Sequence, residues 1–239
     1  MLEARKLTKR YEGAFAPALD RLNLTVAPGE VFCMLGPNGA GKTTTVNLFL
    51  GFLQPSEGQA LVGGLDSASD PLGARAKLAY IPETVMLYGA LTGLENLGYF
   101  TEIAGAPTPA GELLPLLLAA GLTEEAARRP VKSYSKGMRQ KVGVAIALAR
   151  RARALRLDEP TSGLDPLAAS EFAALISRLR QDGFAILMVT HDVFLARQCG
   201  TRVGIMSGGK LARVFGADDL GHLGLDQADL ALFAQGGAA

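Results

Sequence analysis

Gly36-Pro37-Asn38-Gly39-Ala40-Gly41-Lys42-Thr43 follows directly on Val31-Phe32-Cys33-Met34-Leu35, and this stretch decides the reading of the chain. The apolar run reads as a short buried strand that delivers the backbone into a glycine-rich turn. Val46, Leu48, Phe49 and Leu50 then predict a helix starting at Gly41 and running to about Phe52. In such a unit successive backbone N–H groups point inward and cradle phosphate oxygens, helped by the positive end of the helix. Glycines are needed because side chains would block the anion or forbid the turn's left-handed dihedrals. At this spacing Lys42 reaches the β- and γ-phosphates of a nucleotide and the Thr43 hydroxyl is placed to ligate Mg2+. Gly36, Pro37, Asn38, Gly39, Ala40, Gly41, Lys42, Thr43 and Thr44 are the candidate phosphate site. With 29 Gly in 239 residues, the pattern would arise by accident in about one such chain in a hundred. The strand before it and the apolar pattern after it lower that figure further.

Composition narrows the remaining classes. Lys and Arg number 24 against 23 Asp and Glu, a net charge of +1, which gives no electrostatic support for a nucleic-acid partner. Cys33 and Cys199 are too few for a disulfide framework or a zinc site, so a reducing cytosol is expected. Met1-Leu2-Glu3-Ala4-Arg5 lacks the apolar core of a signal peptide. The longest strongly apolar stretch, Leu113 to Leu122, contains Pro115 and is too short to span a bilayer. The expectation is a soluble chain whose membrane role, if it has one, comes through a partner.

Strand-like runs and turns alternate through residues 1–65, including Leu22 to Val26, a turn at Pro55-Ser56-Glu57-Gly58 and a short strand at Leu61-Val62. Asp70 as N-cap and Pro71 at the first helical position open a helix to Lys77. Leu78-Ala79-Tyr80-Ile81 is a strand closed by Pro82. From about 85 to 150 the texture is helical. Strands at Leu155–Leu157, Ala185–Val189 and Val203–Met206 then alternate with helices over 166–181 and from 192. Alternation of this kind predicts an α/β fold with a mainly parallel sheet covered by helices.

Asp158-Glu159 closes the strand Leu155-Arg156-Leu157, at the sheet end where parallel α/β proteins bind ligands. Asp158 can hold Mg2+, directly or through water, and Glu159 can accept a proton from an attacking water. Ser162-Gly163-Leu164-Asp165 follows, and His191 comes directly after the strand ending Val189-Thr190, where it is placed to contact a γ-phosphate. Tyr134-Ser135-Lys136-Gly137-Met138-Arg139-Gln140 opens another helix, with Ser135 as N-cap and Val142, Ala145, Ile146 and Ala149 on one apolar face.

Together these segments resemble the nucleotide-binding subunit of an ATP-binding cassette (ABC) transporter over essentially the whole length. Gly36–Thr43 matches Walker A, Leu155–Glu159 Walker B, Ser135–Gln140 the signature segment and Ser162–Asp165 the D-loop. His191 matches the switch histidine, and Tyr11 the aromatic that stacks on adenine. The resemblance implies a P-loop NTPase core, an N-terminal antiparallel β-subdomain and an inserted helical subdomain. In this single ABC ATPase domain, 1–84 and 151–225 are the core, 85–150 the helical subdomain and 226–239 a tail. It further implies a head-to-tail dimer, with a second copy or a paralogue, enclosing two ATP molecules. Lys42, Thr43, Asp158, Glu159 and His191 of one protomer would face Ser135 and Gly137 of the other. Closure on ATP and reopening on hydrolysis would drive a separate transmembrane permease, more often for export, from the cytoplasmic face of the membrane.

Two positions depart from the superfamily pattern. Glu83 stands where Gln is usual after Ile81-Pro82, and is expected to join Thr43 and Asp158 as a metal ligand. Lys136 stands where the signature usually has Gly, and would add attraction for phosphate. Both resemble a prokaryotic branch with ABC-2-type permeases. Arg156, a charge inside a strand buried on both faces, is expected to pair with an acid or reach out at the sheet edge. The alternative function is a soluble ABC ATPase acting on ribosomes or DNA, but related proteins of that kind carry two cassettes or a long coiled coil. This chain has one cassette and no sustained heptads.

Overall fold

A computed structural model describes residues 1–216 and Asp219. The expected tail at 226–239 and the core boundary at 225 lie outside the described residues. The N-terminal strands β1 (Leu2–Lys9), β2 (Leu19–Val26), β4 (Glu57–Val62) and β5 (Leu65–Asp66) form an antiparallel sheet in the order β2-β1-β4-β5. The second sheet runs β10-β9-β3-β8-β7-β6, with β3 (Val31–Leu35), β6 (Leu78–Ile81), β7 (Ala154–Asp158), β8 (Ala185–Val189), β9 (Arg202–Ser207) and β10 (Lys210–Phe215). Its neighbours from β9 to β6 are parallel, and β10 alone pairs antiparallel.

Alternation along β3 explains why its sequence is apolar throughout. Val31, Cys33 and Leu35 enter one core cluster with Leu155, Leu157, Ile186, Met188 and the helices on that face. Phe32 and Met34 enter the other, between the two sheets, with Leu2, Leu7, Leu187 and Val189. A strand covered on both faces loses the apolar–polar alternation of a surface strand. Helix α1 (Lys42–Phe49) lies in the second cluster through Val46, Leu48 and Phe49, which anchors the glycine-rich loop at the sheet's C-terminal edge.

Helix α2 (Pro71–Lys77) has the expected N-cap, with Asp70 Oδ1 accepting from the Gly73 N–H at 2.9 Å. The helical region holds α3 (Gly93–Ile103), α4 (Ala110–Ala119), α5 (Glu124–Ala127) and α6 (Lys136–Ala149). Thr92 and Glu95 close a reciprocal capping box on α3. Helices α7 (Pro166–Gln181) and α8 (Val193–Cys199) complete the core. Several elements differ from expectation. α1 stops at Phe49, because Gly51 at φ +66° carries a Schellman turn in which Gly51 donates to Leu48 and Phe52 to Asn47. β4 starts at Glu57, so the preceding turn is shorter. The strand β10 was not anticipated.

Candidate nucleotide site

The glycine-rich loop takes its shape from positions that exclude a side chain. Gly36 (φ +150°) would set a Cβ 2.5 Å from the Met206 carbonyl oxygen, and Gly41 (φ +101°) one 2.6 Å from that of Ala18. Gly41 is also the N-cap of α1 and offers no side-chain cap, so the first helical N–H groups remain open to an anion. Lys42 bends back over the loop, its ammonium donating to the carbonyls of Gly36 at 2.5 Å and Pro37 at 2.9 Å. Burial pushes its pKa below the ordinary 10.5, an effect opposed by the charges of Glu159 and Asp158.

These groups share one cavity of about 340 Å3, lined by Asn38, Gly39, Gly41, Lys42, Thr43, Thr44, Asp158 and Glu159 together with Ala18 and Val189. Two pairs distant in sequence, Lys42-Thr43 and Asp158-Glu159, therefore meet at one cavity. Asp158 is the last residue of β7, and both its bonds fall on Oδ2: the Arg156 guanidinium lies at 3.0 Å and the Tyr80 hydroxyl donates at 3.4 Å. Arg156 sits two residues earlier on the same face of the strand, directly opposite Tyr80 across the β6–β7 pairing. Its guanidinium carbon stacks 4.4 Å from the Tyr80 ring centre. The strand arginine thus pairs with the acid, the first of its two expected solutions.

Glu159 is held on three sides. His191 Nδ1 lies 2.9 Å from Oε1, while the Thr190 hydroxyl (3.1 Å) and the His191 N–H (3.3 Å) donate to Oε2. Its φ of +43° is unusual for a non-glycine residue, a strain of about 1–3 kcal/mol that surrounding bonds must offset. The Glu159 N–H donates to the Val189 carbonyl at 2.8 Å and helps to do so. Thr190 and Arg156, both buried, and the exposed Tyr80 are the neighbours of the two carboxylates that motif reading does not place at the site. Thr190 carries no signal beyond its place beside His191, and the other two need the strand register.

Other expected residues stand apart from the cavity lining. Tyr11 approaches the loop through its hydroxyl, 3.4 Å from Thr44 Oγ1; the residue is 43% exposed, and the Lys9 ammonium stands 5.5 Å from its ring centre. Ser135 caps α6 by accepting from Met138 at 3.3 Å, and Gly137 lies in the first turn, both outside this cavity. Glu83 does not join Thr43 and Asp158: its Oε1 accepts from Lys136 at 3.3 Å and Ser162 at 3.0 Å. Ser162 first, then Lys136, hold that carboxyl below the usual range. Among the described residues no group of three or more His, Cys, Asp or Glu could form a metal cage. Mg2+ does not need one, because it commonly takes one or two protein oxygens and completes its shell with phosphates and water. Thr43 and Asp158, whose contacts to Arg156 and Tyr80 both fall on Oδ2, fit that requirement.

A phosphate-binding loop, a carboxylate pair at the C-terminal edge of a parallel sheet and a helical insertion define a P-loop nucleotide-binding domain. Residues 19–162 match the family model described as ABC transporter. The chain is 38% identical, over 92% of its length, to the probable multidrug ABC transporter ATP-binding protein YbhF of Escherichia coli (strain K12). It is 36% identical over 88% to the fluoroquinolones export ATP-binding protein Rv2688c of Mycobacterium tuberculosis (strain ATCC 25618 / H37Rv), of which it covers 69%. It spans 38% of the length of YbhF. Among solved structures, the dimeric post-hydrolysis state of the ATP-binding cassette MJ0796 bound to ADP and Pi superposes with a TM-score of 0.76 at 26% identity, over 91% of this chain and 99% of that one. The chain belongs to the ATP-binding cassette family of ABC transporters.

Proposed function

We propose that this chain binds and hydrolyses ATP to power transport through a separate membrane-spanning permease. The observation that carries the reading is the convergence of Lys42, Thr43, Asp158 and Glu159 on one amide-lined cavity. Loop amides and Lys42 bind the β- and γ-phosphates, with Lys42 leaving the Gly36 and Pro37 carbonyls for the nucleotide. The adenine stacks on Tyr11. Glu159, oriented by Thr190 and His191, accepts the proton of the attacking water, and His191 presents its ring toward the γ-phosphate. Thr43 and Asp158 hold Mg2+, which when bound neutralises charge on the phosphates.

Ser135 and Gly137 act in trans, completing the γ-phosphate site of a second copy or paralogue through the N-terminal amides of α6. The dimeric state of the MJ0796 cassette supports the pairing of two copies. Among the described residues no helix is long and apolar enough to cross a membrane, and this reading assigns the pathway to a separate permease. Exposed Met86, Tyr88, Tyr99 and Ile103, contributed by α3 and the segment before it, offer that permease an apolar surface at the cytoplasmic face. The direction proposed is export, on the strength of the departures at Glu83 and Lys136. The test is ATP turnover by the purified chain beside Glu159→Gln: equal rates reject the proposed base. Co-purification with a permease chain tests the partner.

A further inference from the structure

The two departures from the superfamily pattern are joined in space. Glu83, on the segment after β6, and Lys136, first residue of α6, form an ion pair at 3.3 Å across 53 positions of sequence. Ser162, in the loop after Glu159, donates to the same carboxylate oxygen at 3.0 Å. One turn along α6, buried Gln140 donates its side-chain amide to the Pro82 and Glu83 carbonyls at 3.1 and 2.8 Å. Residues 136 and 140 lie four apart, so one face of α6 grips both the backbone and the side chain of Glu83. The backbone grip needs no charge. The ion pair therefore has a separate task.

Lys136 stands between Ser135 and Gly137, the two residues proposed to meet the partner's γ-phosphate, and its side chain is 29% exposed at that surface. Two anions compete for one ammonium: the Glu83 carboxylate within the subunit, and a phosphate delivered across the interface. We propose that Lys136 is a further γ-phosphate contact in trans, held in reserve by Glu83, so that the carboxylate sets how much ATP is needed to close the dimer. This rests on the trans arrangement proposed for Ser135 and Gly137. Removing the charge of Glu83 releases the lysine, and removing the lysine leaves Glu83 with nothing to withhold. The effect of Glu83 therefore passes entirely through Lys136.

The experiment uses the full chain carrying Glu159→Gln to suppress turnover, with dimer measured by light scattering during an ATP titration. Added Glu83→Gln is expected to lower the half-saturating ATP concentration about three- to tenfold, the scale of one partly exposed charge-assisted contact. Lys136→Gln is expected to raise it by a similar factor. With both changes the value should match Lys136→Gln alone. A Glu83→Gln effect that persists undiminished beside Lys136→Gln overturns the assignment and points back to a metal-site role. Failure of the reference protein to dimerise at any ATP concentration removes the trans site itself, and this inference with it.

Discussion

Exchanging the members of the Arg156–Asp158 pair one at a time should give unequal losses of stability. In Asp158→Asn the guanidinium keeps its place, with its side chain 4% exposed, but faces a neutral amide. Breaking a buried pair in this way costs about 3–5 kcal/mol, and the retained stacking on Tyr80 places the figure near 3. In Arg156→Met the survivor is Asp158, whose side chain is 32% exposed and still receives the Tyr80 hydroxyl. Water can replace the lost cation there, and the change also removes a buried guanidinium Nε that has no hydrogen-bond partner. The expected loss is about 1 kcal/mol. At roughly 2–4 °C per kcal/mol for a chain of this size, Asp158→Asn should melt about 4–8 °C below Arg156→Met. The double variant should lie close to Arg156→Met. Thermal unfolding of the nucleotide-free protein in EDTA makes the measurement. Equal losses, or a larger loss from Arg156→Met, would refute the account of which charge the fold has to compensate.

Lys42→Ala should abolish the melting shift that ATP confers on the wild-type chain, which at one hundred times Kd corresponds to about 2.7 kcal/mol; a retained shift in differential scanning fluorimetry would count against the loop. Glu159→Gln should lower turnover by about 10^2- to 10^4-fold while leaving ATP binding in place, as read by single-turnover kinetics and equilibrium dialysis. Lys42 also predicts a pH effect. Because its folded pKa lies below 10.5, the unfolded chain binds more protons between the two values, so this residue adds stability as pH rises through that window. Wild type should gain on Lys42→Met over that range, and parallel denaturation curves from neutral pH upward would contradict it. Gly36→Ala should destabilise by several kcal/mol and not merely weaken ATP binding, since its Cβ would meet the Met206 carbonyl at 2.5 Å; near-native melting would show that the loop has more room than it displays.

Local signals reached much of the fold and of the site. The helix over 166–181 and the strands at Leu78–Ile81 and Ala185–Val189 fall where their caps, prolines and apolar runs placed them. These boundaries depend on nearest neighbours. The convergence of Lys42, Thr43, Asp158 and Glu159 was legible because phosphate chemistry restricts residue type at fixed spacing. What escaped depends on pairing between distant segments. Tyr80 could not be joined to Arg156 without knowing that β6 and β7 are neighbours in register. Residue type alone points Glu83 to a metal, whereas its contacts depend on the placement of α6 against the end of β6. β10 was overlooked because Lys210–Phe215 is half-exposed and weakly patterned, although Gly208-Gly209, both at positive φ, is a hairpin turn signal.

The posture of Lys42 bears on the shape of the glycine-rich turn. An ammonium seated on two carbonyls ties the opening residues of that turn to the first residue of α1. On the proposed reading, capture of nucleotide is an exchange of partners for that ammonium, from two carbonyls to phosphate oxygens.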